Sequence, residues 1–307
     1  MNIKGPVTVS VIVPTYRRPQ QLQDCLEALA SQNMEDPWEV VVVDDGTPEP
    51  PLPGVATLMA ARGWRLVRQA NAGPSAARNR GVREARGEFV AFTDDDCLPE
   101  PAWLERLLLA ARARPNALVG GTTVNGLTGD FFAATSQLIL DLVYEHFNAV
   151  PNDGYFLASN NILCSRAWFQ EVGGFDESFA RAGAEDRDFC DRWRMRGWPI
   201  TWQPEARVEH RHAQSFRQFV DLHIRYGRGA YRYQAIRKKR SSGTMRDDLG
   251  FHKTLPRRVW RRLRQQGRVN DGIGMLAALS IWQVANAFGF LLEAVMASYK
   301  RRRALSR

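Results

Sequence analysis

Six residues, Trp38 to Val43, constrain the fold of this chain more than any other stretch. WEVVVV is nearly continuous in apolar, β-branched side chains, so it reads as a strand. Lacking polar alternation, it needs a sheet covered on both faces. Around it the chain alternates. Val7 to Val13 is a strand, and Pro19 opens a helix with Leu22, Leu26 and Leu29 at helical spacing. A helix near Val55 to Arg62 and a strand from Trp64 to Arg68 follow. Then come a helix (Ser75 to Ala85), a strand (Glu88 to Thr93), an amphipathic helix (Pro101 to Arg114) and a strand (Ala117 to Val124). This order predicts an α/β fold with a mostly parallel sheet flanked by helices.

In such a sheet, ligands gather beyond the carboxyl ends of the strands. Two acidic clusters fall at those ends: Asp44/Asp45 after the second strand, and Asp94, Asp95 and Asp96 in GEFVAFTDDDCLP. Adjacent like charges repel, so a folded chain keeps such a triplet in water or around a cation. Oxygen ligands of this kind suit Mg²⁺ or Mn²⁺ held together with a phosphate-bearing substrate. Either cluster alone also reads as a solvated turn; both on one edge point to a site.

The second half is less regular. Phe131 to Phe147 is helical, and Tyr155 to Cys164 is a strand or extended loop. Arg166 to Val172 is a short helix ended by Gly173-Gly174, and Pro199 to Gln203 is a short strand. Ala184 to Arg196 is a helix opening with Glu185-Asp186, after a glycine-containing loop from Ala180. Acidic residues suit the positive end of a helix. Cys25, Cys97, Cys164 and Cys190 lie far apart with no CxxC spacing, which argues against a disulfide framework or zinc site and for a reduced cytosolic setting. The N-terminus carries no signal-peptide pattern.

Net charge is +9 but uneven: Arg217 to Arg268 holds 16 Lys/Arg against 3 Asp/Glu. The chain therefore reads as a near-neutral domain followed by a basic helical extension, residues 214–307, beginning with a helix over Ser215 to Arg240. Met275 to Tyr299 contains one charge, Glu293, with Gln283 and Asn286 on a narrow polar arc, and Lys300 to Arg303 follows. This pattern suits an amphipathic helix lying in the plane of an anionic membrane. A helix packed on the domain or at a dimer contact is the alternative. The basic region shows no RNA or DNA fold signature, so no nucleic-acid partner is expected.

VSVIVPTYRR, VVVDDGT, NAGPSAARNRG, GEFVAFTDDDCLP and GGFDESFARAGAEDRDFCDRWRMRGW occur in this order from Val7 to about His212. Together they resemble glycosyltransferase family 2, the inverting nucleotide-sugar transferases of the GT-A fold. The resemblance implies a GT-A (Rossmann-like) domain over residues 1–213, with a nucleotide-binding half to about 124 and an acceptor half beyond it. It places Pro14, Thr15 and Tyr16 against base and ribose. Asp45, with Asp44 beside it, would bind the nucleobase, and Arg78 and Asn79 would approach the nucleotide. Asp96 is implied as the first metal ligand, with Asp94 and His210 as further ligands. Asp94 and Asp95 would touch ribose or sugar. Asp186, with Glu185 second, would be the base that deprotonates the acceptor hydroxyl. The implied partners are a nucleotide-diphosphate sugar, UDP-sugar first, a divalent Mn²⁺ or Mg²⁺, and a glycan, lipid-linked or small-molecule acceptor used in cell-envelope glycan, glycolipid or polysaccharide synthesis. The implied location is cytoplasmic, peripheral on the inner face of the cell membrane. A catalytically silent nucleotide-sugar-binding module and a basic nucleic-acid-binding protein are the competing readings.

Overall fold

Strand β1 (Val9–Thr15), buried along its whole length, lies between β2 (Trp38–Asp44) and β4 (Phe89–Phe92), both parallel to it. The computed structural model describes residues 6–150, 152–179, 183–265 and 272–305. Strand β3 (Arg65–Arg68) extends this parallel set beyond β2. The crossovers are α1 (Pro19–Ala30), α2 (Pro53–Arg62) and α3 (Pro74–Glu84). Each starts with proline in its first turn, where a missing N–H costs nothing. Helix α1 buries the predicted stripe Leu22, Leu26 and Leu29 with Cys25. Helix α3 lies so close to β1 that a Cβ at Gly81 would run into the Ile12 side chain.

Beyond β4 the sheet becomes mixed. The remaining strands are β5 (Cys97–Pro99), β6 (Leu118–Asn125), β7 (Ile162–Ser165) and β8 (Ile200–His210), in the order β3-β2-β1-β4-β7-β6-β8-β5. Strand β7 is antiparallel to β4 and β6, β8 is parallel to β6, and β5 is antiparallel to β8. Helices α4 (Trp103–Ala113), α6 (Arg166–Val172) and α7 (Glu185–Met195) accompany this half. Of the stretch from Tyr155 to Cys164, the last residues enter β7. Ahead of them, the buried Asn161 side chain bonds Trp103 Nε1 and the carbonyls of Thr122 and Ala206.

Strand β8 runs seven residues past its expected end at Gln203. Pro204, just past that point, cannot donate to a ladder. The pairing accommodates it in a bulge: Gly120 faces Trp202, and the next pair is Thr122 with Arg207. This extension decides where the candidate site forms.

The chain divides into two compact units. One comprises residues 1–126, 148–181 and 186–212 and holds the whole sheet; the other comprises 127–147, 182–185 and 213–307. The second unit contains α5 (Phe131–Phe147), α8 (Phe216–Arg240), α9 (Met245–Gln265) and α10 (Gly272–Leu305). A full capping box, Ser215 with Gln218, starts α8. Helix α10 packs along α8, and their backbones approach so closely that a Cβ at Gly227 or Gly289 would meet the Asn286 or Ile224 carbonyl. Arg262 of α9 reaches Asp141 and Glu145 of α5 at 3.5 and 3.1 Å. The basic stretch was expected to run to Arg268; residues 266–268 lie outside the described residues.

Candidate active site

The parallel register places Thr15 opposite Asp44 and Phe92 opposite Ile12, so β1, β2 and β4 end on one edge. Pro14 and Thr15 are buried there, while Tyr16 is exposed. Thr15 Oγ1 donates to Asp95 Oδ2 at 2.8 Å, tying the first strand end to the acidic triplet.

The Asp44/Asp45 pair holds loops. Asp44 accepts from the Thr47 N–H at 2.8 Å and from Arg68 Nε at 3.0 Å. Asp45 accepts from Gln69 Nε2 and the Ala72 N–H on Oδ1, and from the Gly73 N–H on Oδ2, at 2.8 to 2.9 Å. Gly73, at φ 92°, is in a conformation that suits glycine, and it caps α3. Arg78, on the first turns of α3, is buried and meets Asp94 Oδ1 at 2.7 Å. Asn79 exchanges hydrogen bonds with the backbone of Phe175 and donates to Glu177.

Strand β8 completes the site. Its partner β5 follows the triplet directly, and Cys97 faces His210 across the ladder. The Arg211 N–H donates to the Asp96 carbonyl at 2.8 Å. Two residues apart on this strand end, His210 and His212 stack with ring centroids 5.5 Å apart. His210 Nε2 lies 3.3 Å from Asp96 Oδ1, and His212 Nδ1 lies 3.2 Å from Asp96 Oδ2. One ligand atom from each of these three side chains falls within 4.8 Å of the others. A carboxylate and two imidazoles so placed form a set that fits a divalent cation. Asp94 was expected in this set; its carboxylate instead faces Arg78.

Arg18 immediately precedes α1. It bridges the triplet, with Nη1 at 3.1 Å from Asp95 Oδ1 and 2.7 Å from Asp96 Oδ2. Burial alone would raise the Asp96 pKa. Hydrogen bonds with His210 and His212, together with the charge of Arg18, outweigh it and hold Asp96 well below the usual carboxylate range. Burial also works to lower His210, but Asp96 wins and raises it. Asp95 shows the opposite balance: burial pushes it up to about 7 despite Arg18 and Thr15. Arg18 is the contributor that the sequence did not single out for the cluster, and from sequence His212 ranks behind His210. The histidines' i, i+2 spacing on a strand end is the signal that could have raised His212 beside it, since such residues share a face.

Glu185 and Asp186 open α7 in different environments. Glu185 is buried and its Oε2 accepts from the Gly183 N–H at 2.7 Å, which fixes the turn into the helix. Asp186 is half-buried, with Oδ1 accepting from the Arg187 N–H at 2.8 Å. Of the loop from Ala180 to Ala184, residues 180–182 lie outside the described residues. Asp188 pairs with Arg192 at 2.8 Å, and Arg192 also donates to the carbonyls of Val172 and Gly174. That pairing anchors α7 to the end of α6.

A family model described as glycosyl transferase family 2 matches residues 10–173, and one described as the N-terminal domain of galactosyltransferase matches residues 147–214. The pre-mycofactocin glycosyltransferase of Mycobacterium tuberculosis is 29% identical over 227 residues, covering 72% of this chain and 46% of that protein. The chondroitin synthase of Pasteurella multocida is 29% identical over 224 residues, covering 62% of this chain and 23% of that protein. The chain thus spans less than half the length of these relatives. Among solved structures, a mannosyltransferase from Pyrobaculum calidifontis, determined with GDP-Man and Mn²⁺, superposes with a TM-score of 0.63 at 20% identity. That match covers 98% of this chain and 83% of the other, and it carries the GT-A type of fold. The family model alone spans more than half of the sequence, and the chain belongs to glycosyl transferase family 2.

Proposed function

We propose that this glycosyltransferase moves a sugar from a nucleoside-diphosphate sugar to an acceptor hydroxyl by direct, inverting displacement that depends on a divalent metal. The observation that carries this reading is Asp96 with His210 and His212 gathered at the carboxyl edge of the sheet. A set containing two imidazoles suits Mn²⁺ better than Mg²⁺, which prefers oxygen ligands throughout. Bound there, the metal would neutralise the diphosphate as it leaves.

The remaining steps belong to side chains. Thr15 holds Asp95 at the strand end, and the Arg18 guanidinium offsets the charge of Asp95 and Asp96. Asp45 Oδ2 accepts from the Gly73 N–H and keeps acceptor capacity for the ring N–H of a base such as uracil, so a UDP-sugar is the first donor to test. Asp94 and Asp95, the other carboxylates of the triplet, are assigned to the ribose or sugar. Asp186 takes the proton of the acceptor hydroxyl, while Glu185 keeps the turn in shape. The acceptor is a glycan, lipid-linked sugar or small molecule of cell-envelope synthesis. Helix α10, whose long apolar stretch ends in basic residues of its own last turns, supports work at the cytoplasmic face of an anionic membrane.

Asp186→Asn tests the base. It keeps the shape of the side chain and removes its basicity, so turnover falls by about 10²–10⁴-fold. Donor affinity changes by less than about threefold, because base and nucleotide contacts are separate interactions. Glu185→Gln loses less. Near-normal turnover in both variants would remove this pair from the chemistry.

A further inference from the structure

Residues of α10 divide sharply between two faces. Met275, Ala278, Leu279, Trp282, Ala285 and Glu293 are buried within the C-terminal unit. The polar arc also turns inward or sideways. Gln283 Nε2 donates to His252 of α9 at 3.1 Å, and the Asn286 backbone packs against Gly227 of α8. Glu293 is clamped by Arg228 and Arg232 of α8 at 2.8 and 2.7 Å. What remains outside is almost wholly apolar: Ile273, Val284, Phe288, Leu291, Val295 and Tyr299. Val284 is 69% exposed and Val295 68% exposed. By helix geometry, Ile273 to Tyr299 spans roughly 39 Å. Monomeric soluble proteins seldom leave so long an apolar stripe in water.

Charge lies at both ends of the stripe. Lys300, Arg302 and Arg303 are exposed at the C-terminal end. At the other end Gly272 lies beside Trp260 of α9, and the outer face of α9 presents Arg257, Trp260, Arg261 and Arg264. The Arg264 guanidinium sits over the Trp260 ring, 5.4 Å from its centroid. An apolar face flanked by arginine and tryptophan matches the boundary between acyl chains and anionic headgroups.

We infer that α10 lies in the plane of an anionic bilayer with this face in the acyl region, and that it does not cross. The inference deepens the membrane reading above and rests on it. Its argument against crossing comes from α8. Helix α10 touches α8 at His223–Trp282, Gly227–Asn286, Tyr231–Phe290 and Arg228–Glu293. Along those same turns α8 carries Arg225, Arg228 and Arg232. A crossing α10 would draw Arg225 and the Arg228–Glu293–Arg232 cluster into hydrocarbon, where charged side chains are strongly disfavoured. Lying flat, α10 submerges its outer face and leaves α8 at the headgroups.

Val284 and Val295 share the outer face but lie three turns apart, which separates the two orientations. The full-length protein carries Val284→Cys or Val295→Cys labelled with an environment-sensitive dye; its four native cysteines are buried. The vesicles are phosphatidylcholine with or without phosphatidylglycerol, doped with lipids that quench at known depth. The expected result is binding at least about tenfold stronger to the anionic vesicles, with both dyes quenched at one shallow depth. Depths differing by about 16 Å, the rise of eleven residues, would show a crossing helix and overturn the orientation while keeping the membrane reading. Vesicle binding with neither dye quenched would overturn the proposed face. No vesicle binding, with self-association through α10 instead, would overturn the membrane reading itself. Sugar transfer, measured separately, is not at stake in any of these outcomes.

Discussion

At Asp96 one carboxylate meets Arg18 and His212 on Oδ2, and His210 and the Cys97 thiol on Oδ1. A divalent cation and the Arg18 guanidinium compete for that side chain. Removing the Arg18 charge therefore favours the metal. A unit charge acting on a doubly charged ion about 5 Å away in a water-like dielectric amounts to roughly 1–2 kcal/mol. Arg18→Gln is expected to tighten Mn²⁺ binding about tenfold, read by calorimetric titration without nucleotide, while Arg18→Lys stays near the parent. Weaker Mn²⁺ binding in Arg18→Gln would mean that Arg18 organises the carboxylates for the ion rather than competing with it. Nothing in the sequence spacing announced this residue. Arg17 and Arg18 are adjacent and alike in sequence, and only the fold brings one of them back across 77 positions to Asp95. The Asp45 and Asp94–Asp96 positions were legible because strand ends in a parallel sheet are where side chains collect.

Among the elements, α8 combines a clear sequence signature with a buried feature that the sequence hid. Its start and end were readable from Ser215, Gln218 and the arginine run, which suit a capping box and a negative helix end. His223 was not. It is buried among Phe219, Tyr226 and Trp282, and neither ring nitrogen has a hydrogen-bond partner among the described residues. Burial lowers its pKa to about 4. The unfolded chain, titrating near 6.5, therefore takes up a proton that the folded unit refuses. This contribution to stability is full above about pH 6.5 and is lost as pH falls toward 4. His223→Phe should remove roughly 1–2 kcal/mol of the stability change between pH 6.5 and 5, measured by denaturant unfolding. The difference between parent and variant is the quantity to follow, because Asp95, at about 7, contributes the opposite slope over the same range. An unchanged pH slope in His223→Phe would show that the ring is hydrated or paired in solution.

At the scale of the whole molecule, the halves differed in legibility for a physical reason. Strands β1, β2 and β3 pair in sequence order through helical crossovers and β4 joins the free side of β1, so the alternation of strand and helix makes this parallel half readable. Past β4 the sheet is mixed and its pairings are distant in sequence. Cys97 meets His210, and Phe92 meets Ile162. No local pattern specifies them, and the bulge at Pro204 disguised the strand that delivers both histidines. Helix α5, expected in the acceptor half, groups with α8, α9 and α10 because its apolar face and Asp141 are met by residues far along the chain. The site joins these two kinds of information: an acidic triplet and a candidate His210 readable from sequence, and the strand pairing, visible only in the fold, that brings His210 and His212 onto Asp96. The most direct test is calorimetric titration of a nucleoside-diphosphate sugar panel, UDP-sugars first, into the parent protein with Mn²⁺, with chelator, and into Asp96→Ala with Mn²⁺. The expected result is one donor class that binds the parent at least about tenfold more tightly with Mn²⁺ than with chelator, and an Asp96→Ala protein that behaves like the chelated parent. Donor binding indifferent to Mn²⁺ in the parent, or fully Mn²⁺-dependent binding in Asp96→Ala, would contradict a metal held by Asp96, His210 and His212.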